Sequence, residues 1–159
     1  MFEKLAAEGL FPGAGRWFFD HAETVTADSL DRIAALGGAL AIQNRMSFQG
    51  EAFAARYGAA AAQTSPPLRT MLDAGLTIAG GTDATRVSSY NPWLSLHWMI
   101  TGATLGGTVL FHPGNRLTRQ EAITRYTAAG AALTGEADIK GVLREGSLAD
   151  VAVLSDDYF

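Results

Sequence analysis

The sequence predicts an α/β fold, and three observations carry that class. Short, nearly continuous apolar runs recur without two-residue alternation, as parallel strands covered on both faces do. Between them stand clear helix start and stop signals. The chain is also alanine-rich and holds 18 glycines, which suits close helix-on-sheet packing better than a β-sandwich.

The first apolar run, Trp17-Phe18-Phe19, reads as a strand ending in Asp20-His21-Ala22-Glu23. A helix follows over about residues 26–36, with Leu30, Ile33 and Ala34 inward and Gly37 closing it. The second strand is Ala39-Leu40-Ala41-Ile42, ending in Gln43-Asn44-Arg45. The alanines of 59–62, with Gln63 and Thr64, read as a long loop after it. Ser65 is placed as an N-cap, Pro66 at the first helical position and Gly75 just past the end. Leu68, Met71 and Leu72 share the inward face of that helix. The third strand, Leu76-Thr77-Ile78-Ala79, runs into Gly80-Gly81-Thr82-Asp83-Ala84-Thr85-Arg86. Asn91-Pro92 opens another helix, with Leu94 and Trp98 on one stripe and Gly102 as its stop. Thr118-Arg119-Gln120-Glu121 is a capping box, with Leu117 stapled on Ala122 and with Ala122, Ile123 and Tyr126 inward. Val151-Ala152-Val153-Leu154 is the candidate for a final strand.

Composition removes several function classes. The chain has 159 residues, with 12 Lys plus Arg against 16 Asp plus Glu, a net charge of −4. A mildly acidic chain without a basic cluster is a poor nucleic-acid binder, because phosphate neutralisation dominates that affinity. Hydrophobic residues at 48% and charged ones at 18% exclude a solvated disordered tail. No apolar stretch approaches the roughly 18 residues that cross a bilayer. Cysteine is absent, which removes disulfides, thiolate zinc sites and a cysteine nucleophile together. The start, Met1-Phe2-Glu3-Lys4-Leu5, lacks a secretory pattern, so a cytoplasmic location is expected.

In parallel α/β folds, functional groups collect beyond the carboxyl ends of the strands. That rule selects His21 and Asp83, an imidazole and a carboxylate suited to a divalent metal. The alternative is a locally hydrogen-bonded histidine and an aspartate capping a turn. Gly80-Gly81-Thr82-Asp83 matches neither Gly-x-Gly-x-x-Gly nor the P-loop. Arg45 and Arg86, each just past a strand end, are candidate clamps for a substrate carboxylate or carbonyl. Trp93 is a candidate pocket wall. His97, inside an apolar helix beside Trp98, is read as packed or pocket-lining, and His112 as an exposed turn residue.

Taken in order, several motifs resemble the amidohydrolase superfamily, specifically amidohydrolase family 3. They are Phe19-Asp20-His21-Ala22-Glu23, Pro67-Leu68-Arg69-Thr70-Met71-Leu72-Asp73-Ala74-Gly75, Gly81-Thr82-Asp83-Ala84 and Arg119-Gln120-Glu121-Ala122-Ile123-Thr124-Arg125-Tyr126-Thr127. The run Gly141-Val142-Leu143-Arg144-Glu145-Gly146-Ser147-Leu148-Ala149-Asp150-Val151-Ala152-Val153-Leu154 belongs with them. The resemblance implies the C-terminal part of a metal-dependent (β/α)₈ barrel, strands six to eight. Residues 1–140 would be the partial barrel, opening in the helix before strand six. Residues 141–159 would be a tail segment returning to a small composite β-sandwich.

The same resemblance implies a hydrolase of carbon–nitrogen bonds other than peptide bonds, acting on amides, N-acyl compounds or cyclic amides. His21 would be a metal ligand after strand six. Asp83 would bind metal after strand eight and shuttle the proton of the attacking water. A divalent metal, zinc above others, would be the cofactor, and a small molecule the substrate. The family's His-x-His after strand one, its mid-barrel bridging ligand and its histidine after strand five have no counterpart here. A (β/α)₈ barrel takes about 250 residues. The chain alone is therefore expected to be a catalytically silent fragment, with barrel edges open to homo-oligomerisation. The competing reading is a non-enzymatic α/β binding or scaffold module.

Overall fold

The computed structural model describes residues 1–11, 17–85 and 88–159. Arg86 lies outside the described residues. The order is α1 (Phe2–Ala7), β1 (Phe18–Asp20), α2 (Ala27–Ala35), β2 (Ala39–Gln43), α3 (Arg45–Tyr57), α4 (Ala59–Ala62), α5 (Leu68–Asp73), β3 (Ile78–Gly81), α6 (Pro92–Thr101), α7 (Arg119–Tyr126) and α8 (Ala128–Leu133). The strands form one parallel sheet in sequence order, β1-β2-β3, with Asp20 opposite Ala41 and Gln43 opposite Gly81.

Strand side chains alternate between faces, and the two faces differ. Leu40, Ile42 and Ile78 are buried beneath helices, in a core with Leu30 and Ile33 of α2, Met71 of α5 and Trp98 of α6. Gly80 continues that face: a Cβ there would meet the Tyr126 ring at 2.4 Å, so α7 seats an aromatic edge directly on β3. The other face of β2 and β3 carries the small residues Ala39, Ala41 and Ala79, and then Gln43. Parallel strands all end on one rim, so the carboxyl ends of three strands are brought together there.

Most helix signals hold. Thr26 accepts from the Ser29 N–H and caps α2, Asn91 accepts from the Trp93 N–H and caps α6, and Gly102 ends α6 in the left-handed region. Thr118 and Glu121 form both halves of the capping box of α7. Four expectations need correction. Helix α5 starts at Leu68, because the buried Ser65 hydroxyl donates back to the Ala61 carbonyl (2.7 Å) instead of capping forward. Residues 59–62, expected within a loop, form the helical turn α4, and the 13 residues of α3 before it are helical too. Strand β1 is not covered on both faces: Phe18 and Phe19 stay 45% and 41% exposed at the sheet edge. Residues 151–154 form no strand, and Val153 is 97% exposed.

Candidate functional site

At the rim, β1 and β3 end in the same unusual way. His21 follows β1 with φ +60° and Asp83 follows β3 with φ +50°, the two non-glycine residues of the described chain in the left-handed region. Asp and His enter that region more readily than most residues, yet it costs about 1–2 kcal/mol for each. The turns bring the two side chains together, with His21 Nε2 3.9 Å from Asp83 Oδ2. Both are about two-fifths exposed, where such a pair is worth at most about 1 kcal/mol. The contact does not offset the backbone cost. Strain of this kind, held in place by its surroundings, marks functional sites.

What holds the turns is buried and polar. The His21 N–H donates to the Ala41 carbonyl and to Gln43 Oε1, each at 3.1 Å. Gln43 Nε2 donates to Asp20 Oδ1 at 3.1 Å. On the other side, fully buried Asn44 donates from Nδ2 to Ser47 Oγ (3.3 Å), and its Oδ1 lies 3.3 Å from Ser88 Oγ. Ser88 Oγ in turn donates to the carbonyl of Thr82, the residue before Asp83. Gln43 and Asn44 are the residues that sequence reasoning missed as part of the site. They stood in a polar strand end, but an amide belongs to no ligand motif.

The remaining candidates lie apart from the pair. Arg45 is the first residue of α3 and lines a cleft of about 370 Å³ with Glu23, Gln49, Phe53 and Arg56. Trp93 meets Tyr158 at a tilt of 51°, ring centroids 6.0 Å apart, and lines a separate cleft against α7 and the tail. His97, expected to be packed or pocket-lining, is exposed on α6, which removes the packed alternative, because Leu96 and Trp98 on either side take the inward positions. His112 is exposed, and its Nδ1 accepts from the Gly114 N–H (3.1 Å). Among the described residues, no hydrogen bond or ion pair joins Arg45, Trp93 or His97 to His21 or Asp83.

An imidazole nitrogen and a carboxylate oxygen at one rim fit two positions of a divalent-metal site. Among the described residues no group of three His, Asp or Glu completes one. None of the described helices is long and apolar enough to cross a membrane.

The fold is similar to part of the fold of solved metal-dependent hydrolases. An uncharacterised metal-dependent hydrolase from Pyrococcus horikoshii OT3 superposes with a TM-score of 0.77 at 21% identity, over 99% of this chain and 31% of that one. Atrazine chlorohydrolase from Arthrobacter aurescens TC1, solved with zinc, gives a TM-score of 0.62 at 22% identity over 92% and 29%. A sequence model of the amidohydrolase family matches residues 1–159, and the chain belongs to that family. Imidazolonepropionase of Porphyromonas gingivalis is 31% identical over 154 residues, 95% of this chain and 33% of the relative. The imidazolonepropionase of Saccharopolyspora erythraea is 41% identical over 95 residues. The match thus covers 33% of the first relative and 22% of the second, the latter over 58% of this chain.

Proposed function

We propose that this chain carries part of the active site of a metal-dependent hydrolase that cleaves carbon–nitrogen bonds other than peptide bonds. The observation that carries the reading is the meeting of His21 and Asp83, both in strained turns, at the rim of a parallel sheet. A solvated scaffold surface gives no reason to hold two such turns, which weighs against a non-enzymatic module. In this reading β1, β2 and β3 are strands six to eight of a (β/α)₈ barrel, and residues 141–159 belong to a composite β-sandwich. Relatives and structural neighbours named imidazolonepropionase and adenosine deaminase support a small-molecule substrate.

His21 Nε2 and Asp83 Oδ2 would hold a divalent cation, with zinc favoured by the nitrogen–oxygen donor pair and by zinc in the neighbours. When bound, the cation supplies Lewis acidity at the rim. Asp83 takes the proton of the attacking water on a carboxylate oxygen and then delivers it to the leaving nitrogen. His21 binds and orients. A hydrolytic zinc site usually needs three protein ligands plus an open position. The other donors come from the rest of the whole protein, and the 159 residues alone turn over nothing.

The test is made in the whole protein. Asp83→Asn keeps one oxygen ligand and removes the base, so kcat should fall by about 10²–10⁴ with metal content only partly reduced. His21→Ala should act through metal loading, with partial recovery in excess zinc. Near-full turnover in Asp83→Asn with normal metal would make the residue a turn cap and end the proposal.

A further inference from the structure

We propose that Gln43 and Asn44, neighbours at the end of the central strand, are positioning residues that set the His21–Asp83 separation, each acting on one flanking strand. The inference rests on reading those two side chains as metal ligands.

Gln43 is the last residue of β2 and Asn44 the N-cap of α3, where the backbone leaves the strand, so the two adjacent amides serve two different neighbours. Gln43 reaches toward β1. Its Oε1 accepts the His21 N–H while its Nε2 donates to Asp20 Oδ1, so one side chain grips the residues on both sides of the turn. Asn44 works toward β3 through Ser88. That hydroxyl shares its one proton between Asn44 Oδ1 and the Thr82 carbonyl, a three-centre bond that closes the loop carrying Asp83 back onto the sheet. Ser47 completes the anchor from below, accepting from Asn44 Nδ2 and donating to the Asn44 carbonyl (2.7 Å).

Burial makes these links directional. Gln43 is 8% exposed and Asn44 0%, and a buried amide without partners costs about 1–3 kcal/mol. Each amide is therefore held to the geometry that satisfies it, and the left-handed turns are held with it. Neither side chain needs to touch metal to govern how the ligands meet. Groups that orient ligands from behind typically change metal affinity 10–100-fold when removed.

The experiment uses the isotopically labelled 159-residue chain and two readouts. One is the nuclear Overhauser contact between the His21 ring and the Asp83 β-protons without metal. The other is the zinc midpoint on the His21 ring signals, with exposed His97 and His112 as internal controls. Gln43→Met keeps length and burial but removes both polar atoms. It should lose the contact and weaken the zinc midpoint about tenfold, with the control signals in place. Gln43→Glu keeps the acceptor for His21 N–H but sets a second carboxylate oxygen against Asp20 Oδ1, so it should weaken the contact without abolishing it. If Gln43→Met does not fold, Ser88→Ala reports from the β3 side and should lose the same contact.

A contact and midpoint unchanged in the folded Gln43→Met and Ser88→Ala chains overturn the inference, as does absence of the contact in the unaltered chain. A chain that shows the contact but no zinc response at His21 sinks the metal-site reading instead. Loss of the contact in Gln43→Met then still upholds the positioning role.

Discussion

Arg69 and Glu121 stand 52 residues apart in sequence and meet in a two-pronged ion pair, Nη1 to Oε1 at 2.8 Å and Nη2 to Oε2 at 3.0 Å. Arg69 Nη2 also donates to the Arg116 carbonyl, and Glu121 Oε2 accepts the Thr118 N–H. One pair thus ties α5 to the N-terminus of α7, the helix whose Tyr126 rests on β3 behind the rim.

The first expected outcome concerns pH. The Arg69 guanidinium holds the Glu121 carboxyl well below the ordinary 4.5, at about 2. A carboxyl lowered on folding contributes stability that is complete above its unfolded value and disappears as pH falls toward its folded value. Glu121→Gln should therefore cost about 1–2 kcal/mol at neutral pH, since the pair is one-third exposed and partly screened. The difference from the unaltered chain should shrink between about pH 4.5 and pH 2. Urea unfolding across that range measures it. A constant difference at every pH would mean that packing, not charge, joins α5 to α7.

A second outcome concerns Gly80. An added methyl would meet the Tyr126 ring at 2.4 Å, and that ring is wedged between α7 and the sheet. Gly80→Ala should destabilise by about 1–3 kcal/mol, the usual cost of overpacking. Gly81→Ala places its methyl at an ordinary 3.5 Å from Gln43 Nε2 and should cost less. Thermal melts of the two variants compare them directly, and equal losses would show that the sheet flexes away from Tyr126.

These helix contacts also show where the sequence was legible. The caps at Asn91 and Thr118 were visible because a cap is a local event within four residues. His21 and Asp83 were visible because parallel strands end on one side of a sheet. Helix α3 was hidden because it packs through Met46, Ser47 and Gly50, and a Cβ on Gly50 would lie 2.2 Å from Leu110 Cδ1. A helix that buries small residues shows no apolar stripe. Residues 151–154 have the composition of a strand, but a strand also needs a partner alongside, which composition does not report. Gln43 and Asn44 escaped because their roles exist only once three strands are in register.

A third outcome follows from the edge of β1. Among the described residues β1 pairs with β2 alone, and Phe18 and Phe19 are exposed beside its open edge. An apolar edge of this kind recruits a second copy. Light scattering should find the 159-residue chain associating as concentration rises, and Phe18→Lys should return it toward monomer. A monomer at every concentration would show that the edge is protected.

The last outcome separates strain from chemistry at the rim. His21→Ala and His21→Gly both remove the imidazole, so both lose any metal held there. They differ in backbone freedom. Alanine at φ +60° pays the steric cost between Cβ and carbonyl, whereas glycine adopts that conformation freely. Glycine also loses more entropy on folding, which offsets part of its advantage. His21→Gly should therefore be more stable than His21→Ala by about 1 kcal/mol, and Asp83→Gly should exceed Asp83→Ala in the same way. Paired unfolding curves give both differences. If the glycine and alanine variants are equally stable at both positions, the turns are unstrained, and the physical reason for singling out this pair is gone.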